Sequence, residues 1–172
     1  PLKGDLYGVH GHGADDIYAV GQGGQVLHYD GIAWTSLIGI PASVATLDLK
    51  AVWVDDTGMV TISGKDGLIL QGNKDTGFTH FGNLVIGGSL DAAWGVDGER
   101  ILVGENSQIW HHAGGWVADD PIPTTQHLRD VWGAASNDVW AVGLTGVLNY
   151  WDGTQWTKID GPTGSGLESI WG

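Results

Sequence analysis

The chain repeats itself. Five hexapeptides open with leucine and keep one pattern: Leu6-Tyr-Gly-Val-His-Gly, Leu49-Lys-Ala-Val-Trp-Val, Leu90-Asp-Ala-Ala-Trp-Gly, Leu128-Arg-Asp-Val-Trp-Gly and Leu167-Glu-Ser-Ile-Trp-Gly. Their fifth residues are His10, Trp53, Trp94, Trp132 and Trp171, separated by 43, 41, 38 and 39 residues. A period of about 40 residues marks a supersecondary unit that cannot bury its own faces and must stack on its neighbours.

Each copy continues in the same order. A turn carries Asp or Asn: Asp15-Asp16, Asp55-Asp56, Asp97-Gly98 and Asn137-Asp138. An apolar strand follows and ends in glycine, at 17–21, 59–64, 101–104 and 139–143. A link predicted to be a two-residue hairpin leads to a third strand, and Trp34, Phe78, Trp116 or Trp156 opens a fourth. The second strands are apolar at nearly every position, where a half-exposed strand would alternate. Continuous apolarity fits a sheet covered on both faces, as a stacked blade is. The fold class read from these residues is all-β, a β-propeller of four-stranded antiparallel blades.

The repeats run over 6–48, 49–89, 90–127 and 128–166, with a partial fifth at 167–172, all within one region spanning 1–172. The fifth opening strand is surplus to a closed four-bladed ring. It points to a larger propeller, completed by further residues of a parent chain or by another copy of this one. The alternative is a four-bladed ring with one terminal strand displaced to the rim.

Composition excludes several function classes. The net charge is −13, and the five Lys and two Arg form no cluster, so a phosphate backbone or an anionic membrane meets a repelling surface. No apolar run reaches the length of a membrane span. Thirty glycines in 172 residues, without a Gly-X-Y period, fit short strands and tight turns rather than collagen. Absence of cysteine removes disulfides and thiolate chemistry. The opening at Pro1, with no apolar leader, fits a chain whose signal has been removed or one cut from a longer parent.

The segments Tyr29-Asp-Gly-Ile-Ala-Trp34 and Trp151-Asp-Gly-Thr-Gln-Trp156 resemble a degenerate Asp-box of BNR-type propellers. The wider pattern is similar to propeller repeats of secreted bacterial proteins and of the photosystem-assembly-factor type. The second copy departs from it at 71–78, which lacks Asp-Gly, and the third reads Ala113-Gly-Gly-Trp116. The resemblance implies a propeller in which Asp30 and Asp152 shape turns and do not catalyse. It also implies a secreted or periplasmic location.

No catalytic signature accompanies the repeat. With only Arg100 and Arg129, the arginine cluster that grips a sialic-acid carboxylate cannot be built. No Gly-x-Ser-x-Gly elbow or phosphate-binding glycine loop with its helix is present. His10 and His12, two apart on a strand, are the weak metal candidates, because alternate strand residues share a face. The plainer reading makes them ordinary strand-end polar residues. The aspartate turns lack the calcium-loop spacing, so calcium remains a secondary expectation behind simple Asx turns.

Binding candidates gather where the second strand turns into the third: Lys65, Asp66, Glu105 and Asn106. The residue after each opening leucine also varies, reading Tyr7, Lys50, Asp91, Arg129 and Glu168. Lys50 and Arg129 are placed to neutralise Asp91 and Glu168; the plainer alternative is a solvated rim. Trp110 and Trp151 lie off the main repeat columns and are the candidates to face a sugar, with core packing as the alternative. Trp140, inside an apolar strand, is expected to be buried. The function expected is a non-catalytic binding module for a glycan or a partner protein. The alternative is an assembly scaffold whose open blade edges pair between chains, as a homo-oligomer. A propeller hydrolase or metal-dependent lyase ranks behind both.

Overall fold

A computed structural model describes residues 4–81, 88–119, 126–161 and 164–172. The chain divides into two compact units, Pro1–Ser89 and Leu90–Gly172. Each unit holds two four-stranded antiparallel sheets whose strands pair in chain order. In the first unit these are β1 (Leu6–Gly13), β2 (Asp16–Gly21), β3 (Val26–Tyr29) and β4 (Trp34–Ser36), then β5 (Leu49–Val54), β6 (Val60–Gly64), β7 (Ile69–Asn73) and β8 (Gly77–His80). In the second unit they are β9 (Leu90–Val96), β10 (Glu99–Gly104), β11 (Ile109–His112) and β12 (Trp116–Ala118), then β13 (Leu128–Ala135), β14 (Asp138–Gly143), β15 (Leu148–Trp151) and β16 (Trp156–Ile159). These are the four blades that the repeat predicts.

Blades stack through their apolar faces. In the first unit Tyr18, Val20 and Val26 of one blade share a core with Leu49, Val52, Ile62 and Leu70 of the next. Every residue of β6 is buried, which is why the second strands carry no polar alternation. The opening leucines Leu49, Leu90 and Leu128 are all 0% exposed.

The second strands end in glycine because another backbone passes too close for a side chain. A Cβ on Gly64 would stand 2.3 Å from the Asp48 carbonyl oxygen, and one on Gly143 would stand 2.0 Å from that of His127. The links that follow are three-residue 3-10 turns rather than two-residue loops. Gly64 N–H donates to Leu68 O, closing the ladder around the longer turn.

Residues 167–172 do not form a strand, although their sequence repeats the first-strand pattern. A strand requires a ladder partner, and none pairs with this segment among the described residues. The segment instead lies along β13. Leu167 N–H donates to Gly143 O at 2.9 Å, and Ser169 Oγ and Ile170 N–H donate to Asp130 Oδ2 at 2.8 and 2.9 Å. Trp140 is half-buried rather than buried, because its indole N–H reaches Asp138 Oδ1 at 3.1 Å near the strand end.

Candidate functional site

One irregularity recurs in every first strand. Leu6 pairs with Gly21 and Gly8 with Val20, leaving Tyr7 unpaired. Lys50, Asp91 and Arg129 are passed over in the same way in β5, β9 and β13. Each is the extra residue of a β-bulge, a device that re-aims one side chain while the ladder continues on both sides. The column that varies in sequence is therefore the bulge column. The ladder places no pairing demand on these residues, so their side chains are free to differ.

The bulge residues meet different partners. Lys50 Nζ sits 3.9 Å above the centre of the Tyr7 ring and 4.0 Å from Asp48 Oδ2. Asp91 bonds His127 Nε2 through a carboxylate oxygen, both groups being mostly covered. Arg129 Nε lies 3.7 Å from Glu168 Oε2. The pairing of Arg129 with Glu168 matches the expected neutralisation. Lys50 instead serves Tyr7 and Asp48, and Asp91 takes His127. Asp48 and His127 were missed as site residues, though the sequence signals them: each directly precedes an opening leucine.

The turns between second and third strands share one backbone. The middle residue is left-handed in all four: Gly23 (φ 64°), Asp66 (φ 57°), Asn106 (φ 57°) and Thr145 (φ 59°). Asp and Asn tolerate this region, but a β-branched threonine there is strained. Lys65, Asp66, Asn106 and Thr145 are exposed and Glu105 is half-exposed. The turns are tied back to the links between blades. Lys65 N–H donates to Asp48 O and Leu144 N–H to His127 O, each at 2.9 Å, so turn and bulge column form one surface within each unit. Ser107 donates both N–H and Oγ–H to Gln126 O.

The other candidates are engaged in packing. His10 stacks on Trp53 with ring centroids 4.0 Å apart, and its Nδ1 accepts the Val54 N–H. His12 falls at a second bulge, between Gly11 and Gly13, which breaks the alternation that would have aligned it with His10. Its Nδ1 lies 3.8 Å from Asp56. No group of three or more His, Asp or Glu side chains is arranged to hold a metal among the described residues. Trp151 donates to Ser136 O at 3.0 Å and meets His111 edge-on and Trp156 at a tilt. Trp110 is half-buried, with its N–H 3.4 Å from Gln108 Oε1.

The aspartates of the Asp-Gly segments cap their own turns. Asp30 Oδ1 accepts from Ile32 and Ala33 N–H, and Asp152 Oδ1 from Thr154 N–H, Thr154 Oγ–H and Gln155 N–H. Away from the bulge column, a cavity of about 340 Å³ is lined by Asp15, Asp16, Tyr18, Asn73, Lys74 and Asp75, among others. Of its lining residues, Asp16 pairs with His28 Nε2 at 2.7 Å.

Four sequentially wound four-stranded antiparallel blades, two in each unit, define the class: the chain is a β-propeller protein. Among solved structures it is similar to the WD40 β-propeller domain of Doa1, with a TM-score of 0.78 at 14% identity over 96% of this chain and 57% of that one. It is also similar to YCF48 bound to D1 peptide (TM-score 0.67, 15% identity, 95% and 55% covered) and to YCF48 from Cyanidioschyzon merolae (0.69, 14%, 98% and 61%). In sequence it is 28% identical over 156 residues to the immune protein Tsi7 of Pseudomonas aeruginosa, a match covering 88% of this chain. The chain spans about half the length of that relative, 48% of which is matched. No protein-family model matches the chain.

Proposed function

We propose that this chain is a non-catalytic module that binds a partner protein through its bulge column and the adjoining second-to-third-strand turns. The carrying observation is that four equivalent bulges, in one repeated frame, present Tyr7, Lys50, Asp91 and Arg129. A scaffold that holds backbone constant while side chains vary has the logic of a recognition surface. The strained Thr145 turn agrees, since local strain collects where a side chain is retained for something other than stability. A protein partner is favoured over a glycan by two of the similar proteins, an immune protein and YCF48 bound to a peptide. It is favoured also by Trp151, whose ring is already packed against His111 and Trp156.

The test is a charge reversal at two bulges. Lys50→Glu and Arg129→Glu are introduced singly, and affinity for the partner recovered by capture and then purified is measured by calorimetry. At least about a tenfold loss is expected with the melting temperature unchanged, as for contact residues whose removal leaves the fold intact. Unaltered affinity in both variants, or capture released by free sugars, would overturn the reading.

A second reading, assembly between copies, is favoured by one observation. Leu6 is 47% and Val9 66% exposed, whereas their counterparts Leu49 and Val52 are 0% and 5%, and Leu128 and Val131 are 0% and 4%. The β1 face lacks the cover that the repeat gives elsewhere. Light scattering tests it: a discrete multiple of 18.1 kDa that Val9→Lys reduces to a single chain supports assembly, and a single chain at all concentrations refutes it.

A further inference from the structure

His10 stands in the column that otherwise reads Trp53, Trp94, Trp132 and Trp171. An indole nitrogen is a donor only, whereas a neutral imidazole offers an acceptor. The first blade uses that difference. Nδ1 of His10 accepts the Val54 N–H across the contact between the first two blades at 3.0 Å, while the ring stacks on Trp53 with planes 26° apart. Val54 is 3% exposed, so water has little access to its amide. The contact requires a lone pair on Nδ1 and hence the Nε2–H tautomer.

We propose that His10 is a pH-sensitive latch between the first two blades, closed while its imidazole is neutral and opened when Nδ1 takes a proton. The protonated ring sets an N–H against the Val54 N–H, so the Val54 amide loses its acceptor and the new Nδ1–H finds none there. The ionisable groups on the surrounding elements are engaged elsewhere. Asp16 bonds His28, and Tyr18 packs its ring on that same histidine. Asp55 caps the turn after β5, Asp56 lies by His12, and Lys50 sits over Tyr7. None supplies a carboxylate that would hold His10 charged. Burial accordingly pushes the His10 pKa below its ordinary 6.5. With the folded value lowered, the latch is fully present above the ordinary histidine value and is lost as pH falls through it toward the folded value.

The test is amide hydrogen exchange at Val54 by NMR, read as a protection factor relative to Ile62 and followed from about pH 8 to about pH 5. In the wild type, Val54 protection is expected to fall about tenfold more than that of Ile62, in step with the His10 ring titration. In His10→Asn, whose amide oxygen keeps an acceptor near the Nδ1 position and does not titrate, the ratio is expected to stay constant. A wild-type ratio that is constant while His10 titrates overturns the proposal, as does an equal fall in His10→Asn. Should that variant not fold, the wild-type ring signal decides: a Val54 loss that does not track it refutes the latch.

Discussion

The Trp94 indole fills the space that a side chain at Gly133 would need: a Cβ there would stand 2.8 Å from both Cη2 and Cζ2 of the ring. Trp94 is itself 5% exposed. The repeat thus encodes a stacking rule within this unit, in which the fifth-column ring of one blade lies against the sixth-column glycine of the next. Trp132 repeats it on Gly172, with ring carbons 3.4 Å from the site of a Cβ.

Gly133→Ala is therefore expected to destabilise the chain by about 1–3 kcal/mol, the range for overpacking a filled interior. The added methyl also meets the Asp138 carbonyl oxygen at 2.9 Å, so the ring cannot relieve the clash by moving alone. Urea unfolding followed by tryptophan fluorescence measures it. A midpoint equal to that of the wild type would show that the blades do not lock in this way.

Asn149→Leu is expected to stabilise. Asn149 is 0% exposed, and neither its amide nitrogen nor its oxygen finds a hydrogen-bond partner among the described residues. Equivalent register positions in the first two blades hold Leu27 and Leu70. Replacing a buried, unsatisfied amide with the residue the repeat uses should gain about 1–3 kcal/mol. The same unfolding experiment reads it.

At Thr145, stability and binding should move in opposite directions. Its φ of 59° is costly for a β-branched residue, and the first blade uses Gly23 at the same place. Thr145→Gly should raise stability by about 0.5–1 kcal/mol, since relief of the left-handed strain is offset in part by unfolded-chain entropy. If the turn belongs to the recognition surface, the same change weakens partner binding. Calorimetry of unfolding and of binding on one preparation separates the two.

Acid sensitivity should trace to the Asp-Gly turns. The N–H groups of Ala33 and Ile32 hold the Asp30 carboxyl below its ordinary 3.8, and the Thr154 hydroxyl and the Gln155 N–H do so for Asp152. A carboxyl whose folded value is lowered contributes stability above the ordinary value and loses it as pH falls toward the folded one. The double variant Asp30→Asn, Asp152→Asn retains a side-chain oxygen acceptor but no titration. Its stability should decline less steeply below pH 3.8 than that of the wild type, as measured by thermal melts across an acid series.

Blade number, strand order and the position of each turn were legible in the chain, because they follow from period and apolar pattern, which are local properties. Two details near the candidate site were not. The links proved one residue longer than the hairpin reading, since a left-handed residue is invisible when it is Asp, Asn or Thr rather than Gly. The histidine pair came apart because a bulge between Gly11 and Gly13 shifts the alternation on which the pairing rested.

The sequence alone determined that residues 7, 50, 91, 129 and 168 form one variable column, because a repeat exposes whatever departs from it. Only the tertiary structure decided why the first four vary: each is the bulged residue of its strand, excused from the ladder. Partner choice was likewise a tertiary matter. Lys50 lies over Tyr7 and Asp91 meets His127 through distances set by blade stacking, which no spacing along the chain encodes.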